Sequence, residues 1–373
     1  MISLTRTDES VIGRWWWSVD RWTLACLGAL IIFGIVLIQA ASPEFVNRHN
    51  LPPTYFVKNH LILLVPALAL MFGLSVQSLR HIRLFAFALL PASLIGVALT
   101  LVMGTEIKGA SRWLALPGVS LQPSEFVKPA FIIVSAWLFA RQCERRGTPG
   151  AGTCILLMLL SIGLIMQQPD FGMSALITIS WLCQFFLAGL PLALVGLGVL
   201  LLPAAGTAAY YLLPHVQSRI DRFIAPGKGE NYQVDKALEA FSNGGLFGTG
   251  AGGGTVKLTL PDAHCDFIFA VAGEEMGLAA CLVIVLLYAT IVLRGFWRLR
   301  REQNLFVVLA ASGLLLQFGL QAIINIASAL HLMPTKGMTL PFISYGGSSL
   351  LAVSLGMGML LALTRKRHGR GET

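Results

Sequence analysis

Apolar residues in this chain come in long, nearly unbroken runs, not in the two-residue alternation of strands or the one-sided stripe of a soluble helix. A helix needs about 20 apolar residues to cross a bilayer. Ten runs approach that length: 22–41, 60–76, 84–103, 126–140, 151–166, 171–188, 192–213, 267–293, 305–330 and 348–364. The polar segments between them alternate in character. Arg6, Arg14 and Arg21 precede the first run. Arg80 and Arg83 follow the second, Arg141, Arg145 and Arg146 the fourth, and Arg294, Arg298, Arg300 and Arg301 the eighth. Arg365, Lys366, Arg367 and Arg370 follow the tenth. All of these fall on one side, which the positive-inside rule makes cytoplasmic. The pattern predicts an all-α polytopic protein with ten transmembrane helices and both termini in the cytoplasm.

Composition agrees. Of 373 residues, 55% are hydrophobic and only 12% charged, about half the charged share of a soluble domain. The net charge of +9 would suggest nucleic acid on a soluble protein. Here the basic residues report topology, and no nucleic-acid partner is expected. The six cysteines show no paired spacing and read as small apolar fillers. Ala40-Ala41-Ser42 resembles a signal-cleavage site, but the first run exceeds a signal peptide's apolar core and reads as a retained span. Trp15, Trp16 and Trp17 would anchor the cytoplasmic interface. The whole reads as one transmembrane domain, with a cytoplasmic segment 1–21, a large extracytoplasmic loop 214–265 before the eighth helix, and a cytoplasmic tail 365–373.

The topology exposes segments 42–59, 104–125, 167–170, 214–265 and 331–347 outside. In the longest, a GxGxxG match at Gly248, Gly250 and Gly253 lacks the strand and helix of a dinucleotide site and reads as a flexible hinge.

Charged and amide side chains near membrane depth are costly and usually functional. Glu125 and Lys128, three apart, share a helix face: a self-neutralising pair, or a cation held for an anionic group. Arg112 has the fork to grip a phosphate, and Lys128 would add a point charge. Asp170, after Pro169, is a helix cap or a site residue. Asp266 opens the eighth run as a cap or as a general base. Glu274 and Glu275 need partners at their depth, and Lys128 is a candidate. Gln317, Gln321 and Asn325 form a polar stripe, used for helix–helix bonding or for a site.

Seven strings in order carry a resemblance: Lys108-Gly-Ala-Ser-Arg-Trp113, Gln122-Pro-Ser-Glu125, Gln168-Pro-Asp170-Phe-Gly172, Gly244-Gly-Leu-Phe-Gly248, Ala263-His264-Cys265-Asp266-Phe-Ile-Phe269, Gly273-Glu-Glu275 and Pro341-Phe-Ile-Ser-Tyr-Gly-Gly-Ser-Ser349. Together they resemble the SEDS (FtsW/RodA/SpoVE) family, and its cell-division branch more than its elongation branch. The chain departs from the family pattern at Cys265, Lys236-Ala237 and Gly254, where Thr, Gln-Ser and Ser are usual.

The resemblance implies an inverting peptidoglycan glycosyltransferase. It would polymerise lipid II, an undecaprenyl-diphosphate-linked sugar, into β-1,4 strands outside the bacterial cytoplasmic (inner) membrane, at the division septum. Asp266 falls on the family's essential aspartate. Arg112, Lys128, Lys336, His264, Ser348 and Ser349 are the implied substrate-binding set. Glu125, Asp170, Glu274, Glu275, Gln321 and Asn325 support it. The implied partners are a class B penicillin-binding transpeptidase, other division proteins and membrane lipid. No His/Cys cluster suggests a tight metal site, and a divalent cation, Mg²⁺ or Mn²⁺, would ride on the diphosphate. The rival readings are a lipid II flippase and a non-enzymatic division scaffold.

Overall fold

A computed structural model describes residues 10–42, 46, 52, 54–107, 110–116, 119–144, 149–189, 192–224, 232–334 and 337–365. A short helix, α1 (Val11–Ser18), leads into ten long apolar ones: α2 (Arg21–Ala41), α3 (Tyr55–Ser75), α4 (Leu79–Met103), α5 (Pro123–Glu144), α6 (Gly150–Gln167), α7 (Phe171–Leu187), α8 (Leu192–Leu212), α11 (Ile268–Leu299), α12 (Leu305–Ala329) and α13 (Gly347–Thr364). These match the ten predicted runs to within a few residues at most ends. Eight are long and apolar enough to cross a membrane, and α7, at 17 residues, is shorter. α8 is a 21-residue apolar helix in its expected place.

Polar residues mark the starts. Asp20, Ser78, Asp170 and Asn304 each accept an N–H from the first turn of the helix they precede, which satisfies a donor the helix cannot. Prolines sit inside α3, α4, α5 and α8, as membrane helices tolerate. Burial sorts the bundle. Within their apolar windows α5, α12 and α13 are 67%, 72% and 78% buried, against 22–39% for α2, α3, α4, α6 and α11. The three buried helices form the core, and the others turn much of their surface to lipid.

The arginine-rich face is laced together. Arg294 Nε donates to both Asp20 oxygens at 2.8 and 3.1 Å. Arg298 pairs with Asp20 at 3.4 Å and donates to the Thr364 carbonyl at 2.9 Å. Arg365 donates to the Val76 carbonyl. Trp15 donates its indole N–H to Ser75 and packs edge-on against Phe72. The ends of α1, α2, α3, α11 and α13 that the charge pattern assigned to one side are therefore in contact with one another there.

The opposite face holds a small sheet that the sequence did not announce. Segment 104–125, read only as a loop, holds a three-stranded antiparallel sheet: β1 (Thr105–Ile107), β2 (Ala110–Leu116) and β3 (Val119–Leu121). β1 and β3 are only three residues long, and β2 does not alternate apolar and polar residues, so no strand period can be read. The long loop carries α9 (Pro214–Ile224), α10 (Tyr232–Gly244) and a 3₁₀ turn at Val256–Leu258.

Its glycine-rich part is an ordered wrap, which corrects the hinge reading. A Cβ on Gly244 would collide with the Gly273 carbonyl, and one on Gly248 with the Glu275 carbonyl. Gly248, Gly250 and Gly252 have φ of +82°, +91° and +78°, a region glycine enters without steric penalty. The glycines let this strip lie directly on α11.

Candidate active site at the long-loop face

Every predicted motif of the outer segments meets at this face, except where the chain lies outside the described residues, as Lys336 and Lys108 do. Asp266 is central. α11 begins only at Ile268, and its N-cap is Phe267, which makes no side-chain cap bond. Asp266 is therefore not the N-cap residue. Its carboxylate lies next to Gly337, where an added Cβ would stand 3.4 Å from Oδ2.

The backbone around Asp266 is pinned to the segment before α13. Asn325 Nδ2 donates to the Asp266 carbonyl at 3.0 Å and to the Met338 carbonyl at 2.6 Å. Ser344 Oγ donates to the Cys265 carbonyl at 2.5 Å and accepts the Leu340 N–H at 2.8 Å. Tyr345 N–H donates to the His264 carbonyl at 2.9 Å. The His264 ring is buried against Phe56, with centroids 4.4 Å apart, and lies near Tyr345. That burial holds its pKa below the ordinary histidine value, against the upward pull of Asp262. His264 thus packs aromatic against aromatic, and its carbonyl holds the loop.

Below Asp266 a polar ladder descends between α5, α12 and α13. Gln321 Nε2 donates to the Thr339 carbonyl at 3.1 Å, and Thr339 Oγ1 meets Ser349 Oγ at 2.5 Å. Gln321 Oε1 accepts from Lys128 Nζ at 2.9 Å, and Lys128 pairs with Glu125 at 2.8 Å. Lys128 is only 2% exposed. Glu125, Lys128, Gln317 and Gln321, with Pro129 and Met357 among others, line a cavity of about 30 Å³, room for a water but not for a sugar. The stripe on α12 thus does both jobs: Gln321 and Asn325 bond the loop, and Gln317 faces the cavity. Ser348, on the other side of α13, accepts the Gln122 N–H at 2.9 Å and donates to the Ser120 carbonyl at 3.2 Å. It fastens β3 to α13.

Two expectations change and one holds. Arg112 sends Nε and Nη2 to the carbonyls of Gln168 and Pro169, at 2.9 and 2.6 Å, and Nη1 to Asp170 at 3.4 Å. In this structure it clasps the turn between α6 and α7 and does not present an open fork for phosphate. Asp170 caps α7 through Met173 N–H and receives Arg112, so the cap reading holds for it. Glu274 and Glu275 have no contact with Lys128. The fully buried Glu274 accepts from the backbone N–H groups of Thr255, Val256 and Lys257, each at 2.8 Å, and from Asn243 Nδ2. Glu275 pairs with Lys257 and accepts the Gly252 N–H. Both acids anchor the long loop.

Sequence reading missed Lys257 and Thr339, and did not single out Ser344. Ser344 was legible inside the Pro-Phe-Ile-Ser-Tyr string. Lys257 left no signal beyond being a cation in an outer loop. Among the described residues no three His, Cys, Asp or Glu side chains gather as a metal cluster.

Comparison with known proteins covers almost the whole chain. A family profile described as "Cell cycle protein", for FtsW, RodA and SpoVE, matches residues 20–369. The probable peptidoglycan glycosyltransferase FtsW of Caulobacter vibrioides is 42% identical over 370 residues, covering 98% of this chain and 94% of that one. Its counterpart in Coxiella burnetii is 36% identical over 360 residues, covering 93% and 96%. A structure described as "Structural coordination of polymerization and crosslinking by a peptidoglycan synthase complex" superposes with a TM-score of 0.77 at 28% identity, covering 93% and 97%. The Thermus thermophilus rod shape determining protein RodA superposes at 0.70 with 26% identity, covering 94% and 97%.

Proposed function

The chain belongs to the FtsW/RodA/SpoVE family of cell-cycle proteins, and on that premise we propose that it is a peptidoglycan glycosyltransferase that polymerises lipid II into β-1,4 glycan strands. The names of its relatives carry the activity. The reaction runs at the outer face of the cytoplasmic membrane. The division branch, the septum and a class B transpeptidase partner belong to the same proposal, and the FtsW relatives and the likeness to a chain of a peptidoglycan synthase complex support them.

The observation that carries the mechanism is the state of Asp266. Its backbone is tied on both sides, it stands just before the N-cap residue Phe267, and its carboxylate lies beside Gly337. A carboxylate so placed serves as general base. It takes the proton from the 4-hydroxyl of the acceptor sugar as that oxygen attacks the anomeric carbon of the donor. The bond to the diphosphate breaks and the configuration inverts. Lys336, next in sequence to the glycine beside Asp266, supplies positive charge to the departing diphosphate. A divalent cation bound to the diphosphate would add to that charge. Lys128 acts from below through Gln321 and Thr339, and Arg112 holds the turn.

The test is purified protein with its transpeptidase partner and labelled lipid II. Wild type is expected to make polymer and Asp266→Asn none, with both variants folded alike. Polymer from the Asn variant would overturn the base assignment. Lipid II translocation in liposomes without polymer would favour a flippase, and neither activity would favour a scaffold.

A further inference from the structure

The helix α11 is broken. Gly277 has φ +76° and ψ −179°, a conformation essentially restricted to glycine. The break would leave backbone groups without partners at membrane depth, which is costly. The glycine-rich strip supplies them. Leu278 N–H donates to the Gly245 carbonyl and Ala279 N–H to the Leu246 carbonyl, at 3.0 and 3.2 Å. In return Thr249 and Gly250 N–H donate to the Glu274 and Glu275 carbonyls. Further along, the Glu274 and Glu275 carboxylates take the N–H groups of Gly252, Thr255, Val256 and Lys257.

Depth can be set from the other end of the same helix. Leu278 and Arg294 are about 24 Å apart at about 1.5 Å per residue, and the hydrocarbon layer is about 30 Å thick. With Arg294 at the arginine-rich boundary, Leu278 lies inside the hydrocarbon near the opposite one. The strip bonded to it shares that depth. Its tip is Leu246, 64% exposed, and Phe247, 84% exposed. Residues 242–256 carry no charge. The exposed apolar residues continue down α11 through Leu278, Leu282 and Leu286.

We propose that Leu246 and Phe247 form a re-entrant anchor, inserted among the acyl chains of the outer leaflet beside the break in α11. The occupant is lipid. The surface is apolar, it is continuous with the lipid-facing side of α11, and its backbone is hydrogen-bonded as a membrane environment demands. The anchor fixes the level of the Glu274 carboxylate, and with it the loop that leads to Asp266.

Hydroxyl-radical footprinting of the unmodified chain alone in lipid nanodiscs tests this. Phe247 is expected to oxidise at least about fivefold more slowly than in a free peptide of residues 242–254, despite its exposure on the protein. With no partner present, only lipid can protect it. Oxidation near the free-peptide rate would overturn the proposal, and protection that appeared only after adding the transpeptidase would assign the surface to that protein. A second reading uses a chain with Cys143, Cys183 and Cys265 changed to Ser and Phe247→Cys carrying an environment-sensitive dye. Shallow spin-labelled lipid should quench it as it quenches a Leu278→Cys label at that depth and far more than a Glu239→Cys label; quenching like the latter would overturn the anchor.

Discussion

Asn325 holds Asp266 and Met338 together with one amide group, at 3.0 and 2.6 Å. The carboxylate of Asp266 and the segment that follows Lys336 are thereby kept in register through a single side chain on α12. Base catalysis tolerates little displacement, because proton transfer needs hydrogen-bond reach.

Asn325→Ala should therefore lower turnover more than it raises KM. Two hydrogen bonds are lost, about 1–3 kcal/mol in all, so the protein should remain folded. Polymerisation is expected to fall by about 10- to 100-fold. Steady-state kinetics on labelled lipid II measure the split. An unchanged kcat would remove Asn325 from the positioning role.

The loop anchor makes a separate prediction. Glu274→Ala leaves the N–H groups of Thr255, Val256 and Lys257 without their acceptor. Each buried unpaired donor costs about 1–3 kcal/mol. Residues 248–258 should then exchange amide hydrogen quickly while the core of α12 and α13 stays protected. Hydrogen exchange read by mass spectrometry gives the answer, and a loop as protected as in wild type would contradict the anchor.

These two relationships mark the limit of what the sequence discloses. The ten spans were legible because hydrophobic length and arginine placement are one-dimensional signals. Asp266, Lys128 and Glu125 were legible as costly groups, and Glu125–Lys128 followed from spacing on one helix. Glu274 and Glu275 were legible as costly groups too, but their partners were not. Their partners are backbone amides and Lys257, on an irregular loop whose path depends on glycines at positive φ. The partners of Arg112 were hidden for the same reason: its acceptors are carbonyls of a turn distant in sequence, where composition says nothing. The small sheet at 105–121 was not legible because two of its strands have three residues each and the seven-residue β2 does not alternate apolar and polar.

His264 gives a pH prediction. Its folded pKa lies below the ordinary value of 6.5 because it is buried. The folded state prefers the neutral ring, so the unfolded state binds the proton first as pH falls. The stability is whole above that ordinary value and is lost as pH drops toward the folded pKa. The unfolding midpoint should decline on acidification from about pH 7.5 to about pH 5.5. His264→Phe keeps the packing against Phe56 and should flatten part of that slope. An identical slope would show that other groups carry it.

The Glu125–Lys128 pair separates stability from function. Removing one partner of a buried pair leaves an uncompensated charge, at about 3–5 kcal/mol. Replacing both with neutral groups of similar size is often nearly neutral. Lys128→Met alone should therefore destabilise strongly, since Glu125 would face the cavity without its cation. Adding Glu125→Gln should restore most of the unfolding midpoint. Activity should respond differently. Gln321 takes its hydrogen bond from Lys128 and passes the constraint to Thr339, which meets Ser349 below the Asp266 loop. The double variant has no ammonium at that position, so polymerisation should stay at least about tenfold down while the fold recovers. Thermal unfolding and lipid II polymerisation on the same preparations decide it. Recovery of both would make the pair purely structural. Recovery of neither would mean that the cavity needs the ammonium to hold its shape.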